Sequence, residues 1–356
     1  MKKTLSLLLA IVFTLSVASA TVAADLSYWY GGDFFFYFDS QEKGLIESGG
    51  SFMVGQSAMV KVTSGNTYAQ AWLNEDKWRT PNGMWRYAFG WNKIGDVLDI
   101  GFSSKDTSTI NIGQALLTST FNSFHADPVF NSCDLDWGAN AVLTVGNFAI
   151  KTEYCLHPED GMHDSNSGLG TPRGEYGVAF VAKLDSGDIH LGYKSVPQVM
   201  ADDKTLVLLG GSFNIGEANL KVDIWKDKLG AGNYSNDDDD IGIVAPGTGA
   251  SGKGVQANFG IDKVDVTLLC WLPDTDNIEN VLGVGANYKF TDKFTLGGKF
   301  LTHTNTLNKN AWEAYGLYNV GAFDVKFGAM NTGREMDKAN TADDTSIILG
   351  FHANLF

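Results

Sequence analysis

VLGVGANYKFTDKFTLGGKF, residues 281–300, alternates with a period of two. Leu282, Val284, Ala286, Tyr288 and Phe290 fall on one side, and Gly283, Gly285, Asn287 and Lys289 on the other. After Thr291-Asp292-Lys293 the pattern resumes, with Phe294, Leu296 and Phe300 against Thr295, Gly297 and Lys299. Alternation on both sides of a short polar turn specifies a β-hairpin with one apolar face. In a soluble sheet that face is buried in a core; in a membrane barrel it meets lipid. Which of the two covers it decides the fold.

The same unit recurs. Leu143 and Val145 lead through Gly146-Asn147 to Phe148, Ile150 and Tyr154, with Lys151 and Glu153 opposite. Tyr176, Val178, Phe180, Ala182 and Leu184 turn at Asp185-Ser186-Gly187 into Ile189, Leu191 and Tyr193, against Lys183, His190 and Lys194. Leu220, Val222 and Ile224 oppose Lys221 and Asp223. Trp312 to Val320 turn at Gly321-Ala322 into Phe323, Val325 and Phe327, facing away from Asp324 and Lys326. Short turns alternate with long polar connections near 39–49, 75–83, 105–137, 157–173, 196–203, 228–252, 274–280, 304–310 and 332–343. Such sorting belongs to an up-and-down barrel with tight turns at one end and long loops at the other. A Greek-key sandwich gives no reason for it.

Composition agrees. The chain carries 41 Gly and 22 Phe but only 7 Pro, a balance that suits strands and interfaces. Met1-Lys2-Lys3 followed by an apolar run from Leu5 to Val17 reads as a signal peptide. Ala18-Ser19-Ala20 and Val22-Ala23-Ala24 are two cleavage motifs, and cleavage after Ala24 is preferred. This gives residues 1–24 as signal peptide and 25–356 as a single barrel domain. Loss of Lys2 and Lys3 takes the formal charge from −15 to −17. So acidic a chain does not neutralise nucleic-acid phosphates, whereas it attracts cations. No second apolar run is long enough for a membrane helix, but transmembrane strands leave almost no hydropathy trace. Cys133, Cys155 and Cys270 make an odd count, which argues against a disulfide framework; a Cys133–Cys155 bridge stays open.

The expected fold is therefore all-β: a transmembrane up-and-down antiparallel β-barrel of about 18 strands. Sixteen is the alternative, because residues 50–75 are poorly patterned. A closed barrel satisfies every backbone group in lipid. The Leu/Val/Phe/Tyr face meets lipid, and Tyr288, Phe290 and Phe294 join an aromatic girdle beside a short turn. The Gly/Asn/Lys face meets water inside, its residues too small and too charged to wall a packed core. A soluble sandwich with an aromatic core is the competing architecture.

These hairpins, the signal peptide and a last strand ending in Phe356 together make the chain resemble Gram-negative outer-membrane porins. The resemblance is architectural, covers all of 25–356, and rests on no local motif. It implies a homotrimer in outer-membrane lipid, with a third external loop folded inward to narrow the pore. Here that loop is 105–137, the longest, carrying Leu116, Leu117, Phe121, Phe124 and Phe130, and an apolar loop of that length calls for a surface to pack on. In the family a terminal aromatic continues the alternating apolar set. In this chain the apolar set is Ile347, Leu349, Phe351, Ala353 and Leu355, so Phe356 falls on the other parity unless a bulge intervenes.

A pore selects by its width and by the charges at its narrowest part. Loop acids Asp106, Asp127, Asp134 and Asp136 are expected at the constriction. Inward parity puts Lys61, Arg86, Asp99, Lys151, Glu153, Lys183, Lys194, Lys289, Lys299 and Lys326 on the wall. Acid loop against basic wall makes a transverse field, and the balance leans to cations. Asp237, Asp238, Asp239 and Asp240 offer oxygens to a hard divalent cation, but their spacing is not that of an EF-hand, and a solvated acidic loop is the simpler reading. His157, Glu159, Asp160, His163 and Asp164 form another loop cluster that lacks an HExxH framework. No G-x-S-x-G, P-loop or G-x-G-x-x-G occurs. No cofactor is expected, and the function expected is passive diffusion of ions and small hydrophilic solutes rather than catalysis. A secreted or surface β-rich binding protein and an outer-membrane barrel enzyme are the alternatives.

Overall fold

The structure is a computed structural model that describes residues 25–39, 52–75, 84–103, 110–117, 128–130, 137–156, 174–196, 204–227, 251–274, 280–302, 310–331 and 345–355. Five strands come first: β1 (Asp25–Asp39), β2 (Phe52–Ser64), β3 (Thr67–Glu75), β4 (Met84–Ile94) and β5 (Leu98–Ser103). Within the next connection lie β6 (Ile112–Ala115) and β7 (Pro128–Phe130), which among the described residues pair with each other alone. Then follow β8 (Trp137–Val145), β9 (Phe148–Leu156), β10 (Gly174–Leu184), β11 (Gly187–Val196), β12 (Lys204–Ile215), β13 (Ala218–Asp227) and β14 (Gly252–Ile261). The last are β15 (Val264–Pro273), β16 (Val281–Thr291), β17 (Phe294–Leu301), β18 (Ala311–Asn319), β19 (Phe323–Asn331) and β20 (Ser346–Leu355).

Apart from β6 and β7, the strands form one 18-stranded antiparallel sheet. Each pairs with its neighbours in sequence, with β5 passing directly to β8. The ring closes where Tyr30–Asp39 of β1 pairs with Ser346–Leu355 of β20. Closure leaves no unpaired edge, which a lipid environment requires. Short turns at 65–66, 95–97, 146–147, 185–186, 216–217, 262–263, 292–293 and 320–322 gather at one end, together with the start of β1 and the end of β20. Residues 50–75 lack a clear alternation, yet β2 and β3 pair continuously from Gln56↔Glu75 to Ser64↔Thr67.

The faces follow the sequence pattern. Leu282, Val284, Tyr288 and Phe290 are exposed outward, as are Leu191, Leu209, Ile224 and Leu268. Thr152 sits among this outer set, and its hydroxyl donates to the Ala141 carbonyl at 3.4 Å, which satisfies it without water. Aromatics near the short turns touch one another: Tyr288 and Phe290 at 4.9 Å, Phe294 and Phe327 at 6.3 Å, Phe148 and Phe180 at 5.8 Å between ring centroids. The β20 ladder runs unbroken from Ser346 to Leu355, with Phe351 opposite Phe34 and Val325. Ile347, Leu349, Phe351, Ala353 and Leu355 therefore share the outer register. Phe356 and residues 1–24 lie outside the described residues.

This assignment of faces has a direct test. Leu209 lies mid-strand in β12 on the outer face. Leu209→Arg is expected to cost about 2–4 kcal/mol of barrel stability in a bilayer. Equilibrium unfolding from lipid vesicles measures it, and an undiminished stability would mean that this face does not meet lipid.

Candidate functional site

The connection between β5 and β8 enters the ring. Ile110 and Phe130 are 0% exposed, and Ile112, Leu116 and Leu117 are nearly so. They pack with Ala179, Leu206, Leu208, Trp225, Leu269, Trp271, Val281, Leu301 and Ala311 from the inner sides of β10 to β18. The inner face is thus more apolar than the alternation implied, and the reading of it as too small and too charged for a core is corrected here. Removal from water makes burial of these groups favourable, by about 1.5–3 kcal/mol for each large side chain. No comparable drive acts on the lipid side.

Polar groups fix the position of this apolar contact. The Gln114 amide donates to Asp223 Oδ2 at 2.7 Å, and the Gln114 side chain donates to the Gln256 carbonyl at 3.1 Å. The Gln256 carboxamide works in both directions, donating to the Ala115 carbonyl at 2.7 Å and accepting from the Leu117 amide at 2.9 Å. One buried side chain of the wall therefore satisfies loop backbone groups at both Ala115 and Leu117. Gly113, with φ +89, supplies the backbone bend between Ile112 and Gln114, a conformation unfavourable for other residues. On the wall, Gly192 leaves the space that Phe130 fills; a β-carbon there would lie 2.8 Å from the ring and 2.9 Å from Ile112 Cδ1.

On β18, Glu313 is buried between Lys299 Nζ at 3.6 Å and Lys326 Nζ at 2.5 Å. Lys326 also lies 4.6 Å from the Tyr315 ring centroid, a cation–π distance. The Tyr315 hydroxyl donates to Asn287 Oδ1 at 2.6 Å. Lys61 lies 4.8 Å over the Tyr68 ring.

No protein-family model and no curated protein sequence matches the chain. Its three-dimensional form is similar to that of a triply substituted variant of the Rhodopseudomonas blastica porin, with a TM-score of 0.50 at 11% identity, covering 93% of this chain and 100% of that one. The fold is porin-like. A second variant of the same porin gives 0.49 at 10% identity, with 93% and 100% covered.

Within this porin-like barrel the register puts nine of the ten wall candidates on the inner side, and the side chain of the tenth, Arg86, lies outside those described. They divide by height. Asp99, Lys183 and Lys289 lie within three residues of short turns. Asp99 accepts the Lys93 amide at 2.7 Å and so holds the β4–β5 turn, where Lys93 and Asp96 have positive φ. Glu153 and Lys194 are buried and occupy register positions on either side of Gly177. Lys151 follows on the same face as Glu153, and Arg86 pairs in register with Trp72. Lys299 and Lys326 share Glu313. Asp106, Asp127, Asp134 and Asp136 lie outside the described residues, as do Asp237 to Asp240, the 157–164 cluster and Cys133.

The residues of the inner polar network were only partly legible in the alternation. Asp223 and His190 were legible as inward-facing, but Gln114, Gln256 and Glu313 were not singled out. Two sequence features mark the inner apolar patch. Leu206-Val207-Leu208-Leu209 and Leu268-Leu269-Cys270-Trp271-Leu272 are continuous apolar runs, the pattern of a strand covered on both faces.

Proposed function

We propose that the chain is a channel in the outer membrane of a diderm bacterium, passing ions and small hydrophilic solutes by diffusion, and that it assembles as a homotrimer. The observation that carries this reading is a closed 18-stranded ring, apolar outside, with a loop held across its inside. Rings of this size leave an aqueous lumen. On this reading the loop 105–137 forms the constriction. Its acids Asp106, Asp127, Asp134 and Asp136 face a wall that includes Lys61, Arg86, Lys151, Glu153, Lys194, Lys299 and Lys326.

The test is single-channel recording of the detergent-purified protein in a planar bilayer under a KCl gradient. Discrete conductance steps are expected, with a reversal potential of the sign for cation preference. Lys61→Glu should move that potential further toward cations, because it removes a positive charge from the wall and adds a negative one. A folded, membrane-inserted protein without steps would refute the channel.

A further inference from the structure

Asp223 on β13 has a side chain that is 0% exposed, and it is the wall group that receives the loop amide of Gln114. Its other oxygen, Oδ1, lies 2.6 Å from His190 Nε2 on β11. The strand between them, β12, lets them meet because the residue paired with both is Gly210. A β-carbon at Gly210 would collide with Asp223 Oδ1 and with His190 Nε2. The second ring nitrogen, Nδ1, lies 3.2 Å from Asp188 Oδ1. Each nitrogen of His190 thus faces a carboxylate oxygen. A neutral imidazole donates from one nitrogen, and an imidazolium donates from both.

Among the described residues, the surroundings offer no substitute cation at that spot. On β10, Val181 pairs with His190 and Lys183 with Asp188. On β12, Leu208 and Ser212 flank Gly210 on the inner face, and on β13 Lys221 pairs with Ser212. Gln256 on β14 pairs with Asp223, and Gly113 and Gln114 approach from the loop. Lys183 and Lys221 are exposed. Among the described residues the cationic partner of Asp223 is His190.

We propose that His190 is a protonation switch for the loop, seating it as the imidazolium and releasing it as the neutral ring. The inference rests on the channel reading only for what the loop gates. As pH rises, loss of the proton leaves Asp223 buried without a compensating charge and turns the Nδ1 lone pair toward Asp188. Asp223 then gains by contact with water, and the bond to Gln114 is given up. The loop is seated at low pH and loosened as pH climbs through the imidazole range, about pH 5 to about pH 8.

The experiment places a single cysteine at Leu116, buried in the seat, on the full chain with Cys133, Cys155 and Cys270 changed to Ser, refolded in lipid vesicles. A neutral maleimide then reports the rate at which the loop leaves, with the rates corrected for thiolate fraction. The corrected rate is expected to rise on the order of tenfold across that pH range, the difference between a charge-assisted and a neutral hydrogen bond. His190→Gln keeps one donor without the charge, and should label rapidly with no pH step. Asp188→Asn, at a half-buried position, should move the step to lower pH. A wild-type rate that does not change with pH, or a step that persists in His190→Gln, overturns the switch. Conductance recorded on the same samples separates the two readings: a labelling step without conductance would leave the switch standing and remove the channel.

Discussion

Asp223→Ala is expected to release the loop and widen the pore. The carboxylate is fully buried and holds two groups at once, the Gln114 amide and the His190 ring. Removing one partner of a buried charged pair costs about 3–5 kcal/mol, because the groups left behind lose their acceptor without regaining water. A loss of about 3 kcal/mol shifts the seated-to-released ratio by on the order of a hundredfold. The ring of strands does not depend on this contact, so the barrel persists while its constriction opens. Single-channel conductance should rise, and chymotrypsin should cut faster at Phe121 or Phe124. Conductance and cleavage both unchanged would show that Asp223 does not hold the loop.

Phe130→Ala attacks the same seat through packing. The ring is 0% exposed and fills the space that Gly192 leaves on the wall. Deleting a buried Phe side chain costs about 3–5 kcal/mol in a core that cannot collapse. The wall strands are held by their ladders and cannot close on the gap, so the full cost applies until the loop leaves. From that point the loss is limited to the free energy of seating. The outcome should therefore resemble Asp223→Ala in conductance, yet with His190 and Asp223 still paired. Compact migration on electrophoresis without heating should be retained in both variants. A Phe130→Ala channel of wild-type conductance would mean that the polar anchors alone fix the loop.

The strand order and the outer face were legible from stretches such as 281–300, and the entry of the third long connection followed from the family resemblance and from the apolar residues of 105–137. Lipid selects one side of each strand and water the other, so membrane strands carry their orientation in a period of two. β2 and β3 were harder, and they form because closure of the ring supplies partners that their own pattern does not announce.

What the sequence by itself determined was the alternating barrel and the one loop too long and too apolar to stand in water. Only the tertiary structure decided where that loop rests. Its seat joins Gln114 to Asp223 and Gln256, residues 109 and 142 positions apart in the chain. Those contacts depend on which inner positions of separate strands come level, and on the spaces left at Gly192 and Gly210. Both are set by the stagger of a closed sheet, a property of all the strands together that no single stretch of sequence encodes.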